Sequence, residues 1–218
     1  MNPLTRVGLK LARQINNLAK SPRQHRAAAA FDAVALGRGD VAIDCGANVG
    51  EITARMAANG ATVHAFEPSP IAFEALTGKT AGLDSVVAHQ CAVSDHDGTA
   101  RLYLHRKFKH SPLGHSAGSS LKAAKHNLDP DHSIEVPTID LADFIESLPS
   151  RVRVLKIDIE GLEVMLINHL IDRGVLDRID QVFCETHEFK VPGLLTECRA
   201  LRRRLAIENI CHVNLDWA

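Results

Sequence analysis

Between residues 41 and 215, short apolar runs alternate with amphipathic stretches, and this alternation constrains the fold more than any other feature of the sequence. We predict strands at 41–44, 62–66, 85–93, 152–158, 181–185 and 210–215. We predict helices at 52–59, 70–79, 138–148, 162–172 and 194–208. Strands and helices that alternate at this spacing predict an α/β fold with a doubly wound, mainly parallel sheet.

Residues 1–37 precede this pattern and are predicted to form an N-terminal helical extension of a domain that spans residues 38–218. Apolar residues recur every three or four positions over residues 4–18, which is typical of one face of a helix. A second helix is predicted over residues 24–36, ended by Gly37 and Gly39. With 218 residues, of which 45% are hydrophobic and 23% charged, the chain has the composition of an ordinary globular domain.

Charge and cysteine content argue against several classes of protein. The net charge of −1 predicts no nucleic-acid partner, and no G-x-x-x-x-G-K-[ST] motif points to a P-loop nucleotide hydrolase. The five cysteines are odd in number and scattered, which favours a reduced, cytoplasmic protein over a disulfide framework. No apolar run approaches the ~18–20 residues that a transmembrane helix needs.

The ends of the first two predicted strands carry the residues expected of a ligand site, since open parallel sheets bind ligands beyond the carboxyl ends of their strands. The first strand ends in Asp44, and the turn that follows contains Gly46, Asn48 and Gly50. Glycine lets the backbone approach a ligand closely, and we also predict that Asn48 caps the next helix. Glu67 follows the second strand, where a carboxylate can accept hydrogen bonds from two ribose hydroxyls.

The glycine spacing limits what this ligand can be. The turn reads G-x-x-x-G and lacks the third glycine of the G-x-G-x-x-G pattern that binds a pyrophosphate. It therefore favours a ligand with ribose and adenine but no phosphate. An NAD(P)-dependent oxidoreductase on a similar sheet is the alternative, and a packing role for the two glycines is another.

Six short motifs follow one another between residues 40 and 190. They are DCGANVGE (44–51), AFEP (65–68), AVSD (92–95), GSSL (118–121), LKIDIEG (155–161) and ETH (185–187). In sequence and order they resemble the motifs of FkbM-family methyltransferases. The resemblance implies a Rossmann-like fold of the class I methyltransferase type, S-adenosylmethionine as cofactor and, for most members, O-methylation of sugar or polyketide hydroxyls.

The resemblance also assigns cofactor-binding positions. It implies that the methionine part of the cofactor is surrounded by Asp44, Gly46, Asn48 and Gly50. It implies that Glu67 holds the ribose and that the adenine is lined by Cys91, Ala92 and Val93. A role for Cys91 as a small buried hydrophobic residue is an equal alternative.

Four potential proton acceptors follow the fourth and fifth predicted strands, and a hydroxyl acceptor needs such a group because it is a weak nucleophile when neutral. Asp158 and Glu160 end one strand, and Glu185 and His187 end the next. We expect His187 or Asp158 to be the general base, with Glu160 and Glu185 positioning the acceptor or the cofactor.

Other roles for these residues stay open. Glu160 and Glu163 could only cap helices or pair with Lys156, and His187 could be a solvated loop residue. The carboxylates could also bind Mg²⁺, which would polarise an acceptor hydroxyl. The fifth predicted strand ends in Glu185 and His187, where metal-dependent sugar O-methyltransferases of similar fold have paired Asp. Mg²⁺ is therefore not favoured, and no metal ligands are assigned.

Two segments, residues 1–30 and 101–127, each hold six Lys or Arg and no acidic residue. The insertion at 106–132 is predicted to be a basic lid over an anionic or polyhydroxylated acceptor, with a solvated loop as the alternative. The N-terminal helix is predicted to pack on its own domain or in a homodimer, with peripheral membrane contact as the alternative. We therefore expect a methyltransferase that modifies a hydroxyl of a sugar, glycan or related metabolite, or else a non-catalytic binding protein of this fold.

Overall fold

The computed structural model describes residues 20–106, 113, 116–122 and 128–217, so the predicted helix over residues 4–18 lies outside the described residues. The strands are β1 (Val41–Cys45), β2 (Thr62–Phe66), β3 (Val86–His89), β4 (Ala92–Ser94), β5 (Gly98–His105), β6 (Leu128–Asp140), β7 (Val152–Ile157), β8 (Val182–Cys184) and β9 (Val213–Asn214). The helices are α1 (Pro22–Asp32), α2 (Glu51–Ala57), α3 (Pro70–Thr80), α4 (Leu141–Ser147), α5 (Glu163–Asp172) and α6 (Leu194–Ile207).

The main sheet has six strands in the order β3-β2-β1-β7-β8-β9, and every neighbouring pair is parallel. This confirms the predicted Rossmann-like α/β fold. The chain runs outward from β1 to β3, returns to β7 beside β1, and then continues outward to β9 on the other side. The strand order therefore reverses between β1 and β7, and sheets of this kind bind ligands at the carboxyl ends of the strands at that point.

Apolar side chains cover both faces of the main sheet, because successive residues of a strand point to opposite faces. On one face, Leu155 and Ile157 of β7 belong to the same buried cluster as Leu166 of α5. On the other face, Val154 of β7 belongs to a cluster with Phe31 of α1. Helices thus pack on both sides of the sheet, as a doubly wound fold requires.

A second sheet of three strands lies in the order β4-β6-β5, with β4 parallel and β5 antiparallel to β6. Two predictions are wrong here. The strand predicted over residues 85–93 is divided between β3 in the main sheet and β4 in the second sheet. The helix predicted over residues 138–148 begins only at Leu141, because Thr138–Asp140 pair with Ala92–Ser94 and the Asp140 carboxylate then accepts hydrogen bonds from two backbone N–H groups of α4.

Helix α1 differs slightly from the helix predicted over residues 24–36. It begins at Pro22 because Ser21 and Gln24 form a reciprocal capping box, which satisfies two backbone N–H groups at the helix start. Its last residue is Asp32. Among the described helices, none combines the length and apolar character needed to cross a membrane.

Candidate active site

A cavity lies where the strand order reverses, beyond the carboxyl ends of β1 and β7. Together with its mouth, which opens to solvent, it contains about 660 Å³ of space not filled by protein atoms. Its lining includes eight of the predicted site residues: Gly46, Asn48, Glu67, Cys91, Ala92, Val93, Asp158 and Glu160. The other four, Asp44, Gly50, Glu185 and His187, lie outside this lining.

The turn after β1 brings the backbone against the end of β7. Gly46 has φ of +75°, and a Cβ atom there would lie 1.9 Å from the carbonyl oxygen of Asp158, so only glycine fits. Gly50 has φ of +81° and directly precedes α2, where a Cβ would lie 2.8 Å from Leu76 Cδ1. The prediction that Asn48 caps α2 is wrong, because the cap residue is Gly50 and no side chain caps this helix.

Glu67 lies at the wall of the cavity and is 7% exposed. Its Oε2 accepts a hydrogen bond from the backbone N of Asn48 at 2.8 Å, and its Oε1 accepts one from the backbone N of Ser69 at 2.9 Å. Burial raises the pKa of Glu67 to about 7, against the opposing effect of these two bonds. Each carboxylate oxygen can accept a second hydrogen bond, so the group can still receive donors from the cavity.

Asp44 does not reach the cavity, which makes any role toward a ligand indirect. Its carboxylate is fully buried; Oδ2 accepts a hydrogen bond from Thr53 Oγ1 at 2.7 Å, and Oδ1 lies 3.1 Å from Lys156 Nζ. The ion pair with Lys156 therefore joins the ends of β1 and β7 beneath the turn.

The role of Lys156 beneath the turn was not predicted from the sequence. Its Nζ lies 3.6 Å from Asp158 Oδ2 and donates a hydrogen bond to the carbonyl oxygen of Gly46 at 2.7 Å. Burial alone would lower its pKa, but the charges of Asp44 and Asp158 outweigh this and raise it, so the ammonium stays charged. Sequence reasoning had offered Glu160 and Glu163 as its partners. The available signal was a lysine within the run of central strand β7 whose other charged residue, Arg153, is exposed.

Another part of the cavity lining is largely apolar. Cys91, Ala92 and Val93 line it, together with Phe66, whose ring stacks on His89 with centroids 4.4 Å apart. Burial raises the pKa of the Cys91 thiol, so this side chain acts as a neutral, weakly polar surface.

His187 lies beyond the edge of the cavity and is buried, at 2% exposure, so the alternative of a solvated loop histidine is wrong. Its Nδ1 lies 2.8 Å from Glu163 Oε1. Its Nε2 lies 3.1 Å from Glu160 Oε2, 3.6 Å from Glu185 Oε1 and 3.8 Å from Asp158 Oδ1. The structure thus brings together all four residues predicted to act in proton transfer or positioning.

The electrostatics of this cluster follow from four carboxylates around one imidazole. Burial tends to lower the pKa of His187, but the hydrogen bond to Glu163 and the charges of the surrounding carboxylates raise it overall. Burial raises the pKa of Glu185, and the nearby charge of Asp158 adds to this. Glu160 reaches the cluster from a left-handed backbone conformation with φ of +58°.

Glu163 is a second residue that sequence reasoning undervalued. It is the first residue of α5, is fully buried, and accepts hydrogen bonds from the backbone N of Gly161 at 2.9 Å and of Ile159 at 3.2 Å. These bonds hold the turn that precedes α5, and because the start of α5 has no side-chain cap, the capping role suggested for Glu163 is wrong. The same carboxylate also holds the ring of His187, which the sequence pattern did not indicate.

The described part of the 106–132 insertion covers the cavity with neutral residues. Ser116 Oγ donates a hydrogen bond to Asn48 Oδ1 at 3.0 Å, and Ser120 Oγ donates one to the carbonyl oxygen of Glu160 at 2.7 Å. The two described basic residues of the insertion point elsewhere: Arg106 donates to a backbone carbonyl of β6, and Lys122 lies 3.8 Å from a Glu197 carboxylate oxygen. The remaining basic residues of the insertion lie outside the described residues.

The parallel sheet and the cavity at its switch point define a Rossmann-like α/β protein whose cavity lies where such sheets bind ligands. The family described as "Methyltransferase FkbM domain" matches residues 44–209, so the chain belongs to this family of methyltransferases. The recognition made from the six motifs is thereby confirmed.

Two relatives carry methyltransferase names. The chain is 34% identical over 199 residues to "31-O-demethyl-FK506 methyltransferase FkbM" of Streptomyces tacrolimicus, covering 78% of this chain and 73% of the relative. It is 27% identical over 162 residues to "Methyltransferase 1" of Beauveria bassiana (strain ARSEF 2860), covering 68% of this chain and 65% of the relative. No solved structure shows significant similarity to the chain.

Proposed function

We propose that this methyltransferase uses S-adenosylmethionine to methylate a hydroxyl of a sugar, glycan or related metabolite. The observation that carries the proposal is one continuous cavity wall that contains the Gly46 turn, the Glu67 carboxylate and Asp158. A nucleoside recognition group and a proton acceptor therefore border the same space.

The cofactor half of the site follows from the chemistry of its wall. The ionised Glu67 carboxylate is suited to accept hydrogen bonds from the two ribose hydroxyls, because the residue lines the cavity and each of its oxygens can accept a second bond. The apolar surface of Phe66, Cys91 and Val93 suits a flat purine ring. The Gly46 and Asn48 turn is suited to the methionine part, since its backbone approaches the cavity without side-chain bulk at Gly46.

Bound S-adenosylmethionine would supply a methyl group activated by its sulfonium, so that forming the oxygen–carbon bond and breaking the sulfur–carbon bond leaves S-adenosylhomocysteine. The protein must align the acceptor and remove its proton. Asp158 lines the cavity and His187 lies behind it, and our proposal assigns one of these two groups to take that proton. Glu160 and Glu185 lie within 4 Å of His187 Nε2 and would orient the acceptor hydroxyl.

Methylation at oxygen is favoured by the name of the Streptomyces tacrolimicus relative, whose substrate is an O-demethylated compound. The choice of a sugar-like acceptor rests on the family resemblance alone. Three neutral serines of the insertion line the cavity: Ser116, Ser119 and Ser120. Their hydroxyls suit a polyhydroxylated acceptor as well as an anionic one.

The test combines cofactor binding and methyl transfer. We expect S-adenosylhomocysteine to raise the melting temperature and to bind with a stoichiometry of one in calorimetry, whereas NAD⁺ and NADP⁺ should do neither. Glu67→Ala should abolish this binding, while Glu74→Gln, an exposed residue of α3, should leave it unchanged. Binding of NAD(P) without S-adenosylhomocysteine would favour the oxidoreductase alternative.

Methyl transfer from labelled S-adenosylmethionine into a small-molecule extract, followed by mass identification of the product, tests the acceptor class. A labelled methyl ether on a sugar-containing molecule is the expected product. Labelling confined to nitrogen would refute O-methylation. Cofactor binding with no labelled product in any extract would favour a non-catalytic binding protein.

A further inference from the structure

Three potential metal ligands converge at the ends of two neighbouring strands. Asp158 follows β7, and Glu185 and His187 follow β8; because these strands are parallel neighbours, their carboxyl ends meet. One carboxylate oxygen of each acid and one ring nitrogen of His187 all lie within 4.8 Å of one another. His187 Nε2 is 3.6 Å from Glu185 Oε1 and 3.8 Å from Asp158 Oδ1, too far for hydrogen bonds. Two atoms that each lie about 2.1 Å from one ion are at most about 4.2 Å apart, so the two separations from His187 Nε2 suit ligands of a shared cation.

An independent observation points into the same space. His187 Nε2 is buried and makes no hydrogen bond with the described residues, although Glu160 Oε2 lies 3.1 Å away. A buried polar atom without a hydrogen bond is costly, and a bound ion is one of the ordinary reasons for finding one. A carboxylate cluster alone would not indicate a cation, but this cluster surrounds an available nitrogen.

The opposite side of the imidazole is prepared for metal ligation. Nδ1 lies 2.8 Å from Glu163 Oε1, and since an ionised carboxylate only accepts hydrogen bonds, Nδ1 carries the proton. Nε2 faces Asp158 and Glu185, and a cation bound there would displace the ring's second proton. Ligating histidines commonly donate their other N–H to a carboxylate in this way. Glu163 is itself held by backbone N–H groups of Ile159 and Gly161, so the ring orientation is fixed before any ligand arrives.

The charge balance also favours a cation. The carboxylates of Asp158, Glu160 and Glu185 surround Nε2 within 4 Å. Of the described lysines near them, Lys156 is shared with the buried Asp44, and Lys190 is exposed and 3.8 Å from Glu185 Oε1. A divalent ion would offset the remaining negative charge at the centre of the cluster.

We propose that Asp158, Glu185 and His187 bind a divalent cation that accepts imidazole together with carboxylate, with Mn²⁺ favoured over Mg²⁺ and Ca²⁺, which prefer oxygen-only sites. Glu163 is its positioning residue. This proposal rests on the proposed function for its role: the ion would bind the acceptor hydroxyl and lower the pKa of that hydroxyl. Because Asp158 and His187 are then ligands, Glu160 would take the proton in their place.

Metal binding is measured without methyl transfer. Protein treated with EDTA and exchanged into metal-free buffer is titrated with MnCl₂, and bound Mn²⁺ is followed by electron paramagnetic resonance and calorimetry. We expect one Mn²⁺ per chain, bound more tightly than Mg²⁺ or Ca²⁺. Asp158→Asn, Glu185→Gln and His187→Gln should each weaken binding at least 10-fold. The matched controls Glu74→Gln and His96→Gln, both exposed, should bind Mn²⁺ like the wild type.

Glu163→Gln tests the positioning role separately, and a loss of 10- to 100-fold in Mn²⁺ affinity is expected. S-adenosylhomocysteine binding is measured on every variant to show that the cavity is intact. No Mn²⁺ binding by the wild type, or equal binding by all ligand variants, would overturn the metal site and leave the methyltransferase proposal standing. Stoichiometric Mn²⁺ binding without S-adenosylhomocysteine binding would instead support the metal site and count against the proposed cofactor.

Discussion

Glu67 is a carboxylate whose surroundings oppose its charge, and this makes its contribution to stability strongly pH-dependent. It is 7% exposed, and burial raises its pKa from 4.5 to about 7. The folded protein therefore binds this proton more tightly than the unfolded chain. The stabilisation that results is complete below pH 4.5 and is lost as the pH rises through about 7.

The size of the effect follows from the two pKa values. One pKa unit corresponds to about 1.36 kcal/mol, so the difference between 4.5 and about 7 corresponds to roughly 3 kcal/mol. Glu67→Gln removes the titration while keeping the shape of the side chain. Wild type and variant share every other titrating group, so the difference between their free energies of unfolding isolates this residue.

The assay is urea unfolding of both proteins at pH 5, 6, 7 and 8. Relative to Glu67→Gln, the wild type should lose about 2–3 kcal/mol of its free energy of unfolding between pH 5 and pH 8. At pH 8 the variant should also bind S-adenosylhomocysteine about 10-fold more weakly or worse, because hydrogen bonds to a charged acceptor contribute about 1.5–3 kcal/mol. A difference in free energy that stays constant with pH would refute the account of a buried, charge-strained carboxylate.

Two further predictions concern the support beneath the cavity. Lys156→Met should lower the free energy of unfolding by about 3–5 kcal/mol in urea denaturation, because it leaves the buried Asp44 carboxylate without its cation. Adding Asp44→Asn to this variant should recover part of the lost stability. No recovery would contradict the pairing of the two residues. Gly46→Ala should lower the melting temperature and weaken S-adenosylhomocysteine binding, because the new methyl group would collide with the Asp158 carbonyl oxygen in a left-handed turn. Gly78→Ala is the control, because Gly78 lies in α3 with open space around it. The melting temperature of this variant should equal or exceed that of the wild type. Equal effects of the two substitutions would exclude the close-approach explanation.

The fold was largely predictable where local pattern and tertiary role agree. The strands near 41–45, 62–66 and 152–157 are largely apolar, buried and parallel. Their short apolar runs were enough to predict them from the sequence. The pattern failed at 85–93 and at 138–140. Residues 92–94 and 138–140 pair with each other in the second sheet. A local hydrophobic period can indicate a strand, but it does not reveal which strand is its partner.

The candidate site shows the same division. Gly46, Glu67 and Asp158 could be located because ligands bind at strand ends, and strand ends can be found from the sequence. Lys156 and Glu163 could not be assigned correctly, because their roles depend on which atoms lie within 4 Å of them. Ser116 and Ser120 belong to a segment with no regular period, so nothing in the residue order placed them over the cavity.

The sequence alone thus determined that this chain forms an α/β fold with a parallel sheet. It also determined which strand ends carry glycine, carboxylate and imidazole groups. Only the tertiary structure decided that Asp44 turns away from the cavity to meet Lys156, and that His187 turns inward with one nitrogen held by Glu163 and the other facing three carboxylates. The physical reason is that hydrophobic periodicity depends on neighbours a few positions apart. Ion pairs and ligand sets depend instead on distances between side chains that only the packing of separate strands brings together.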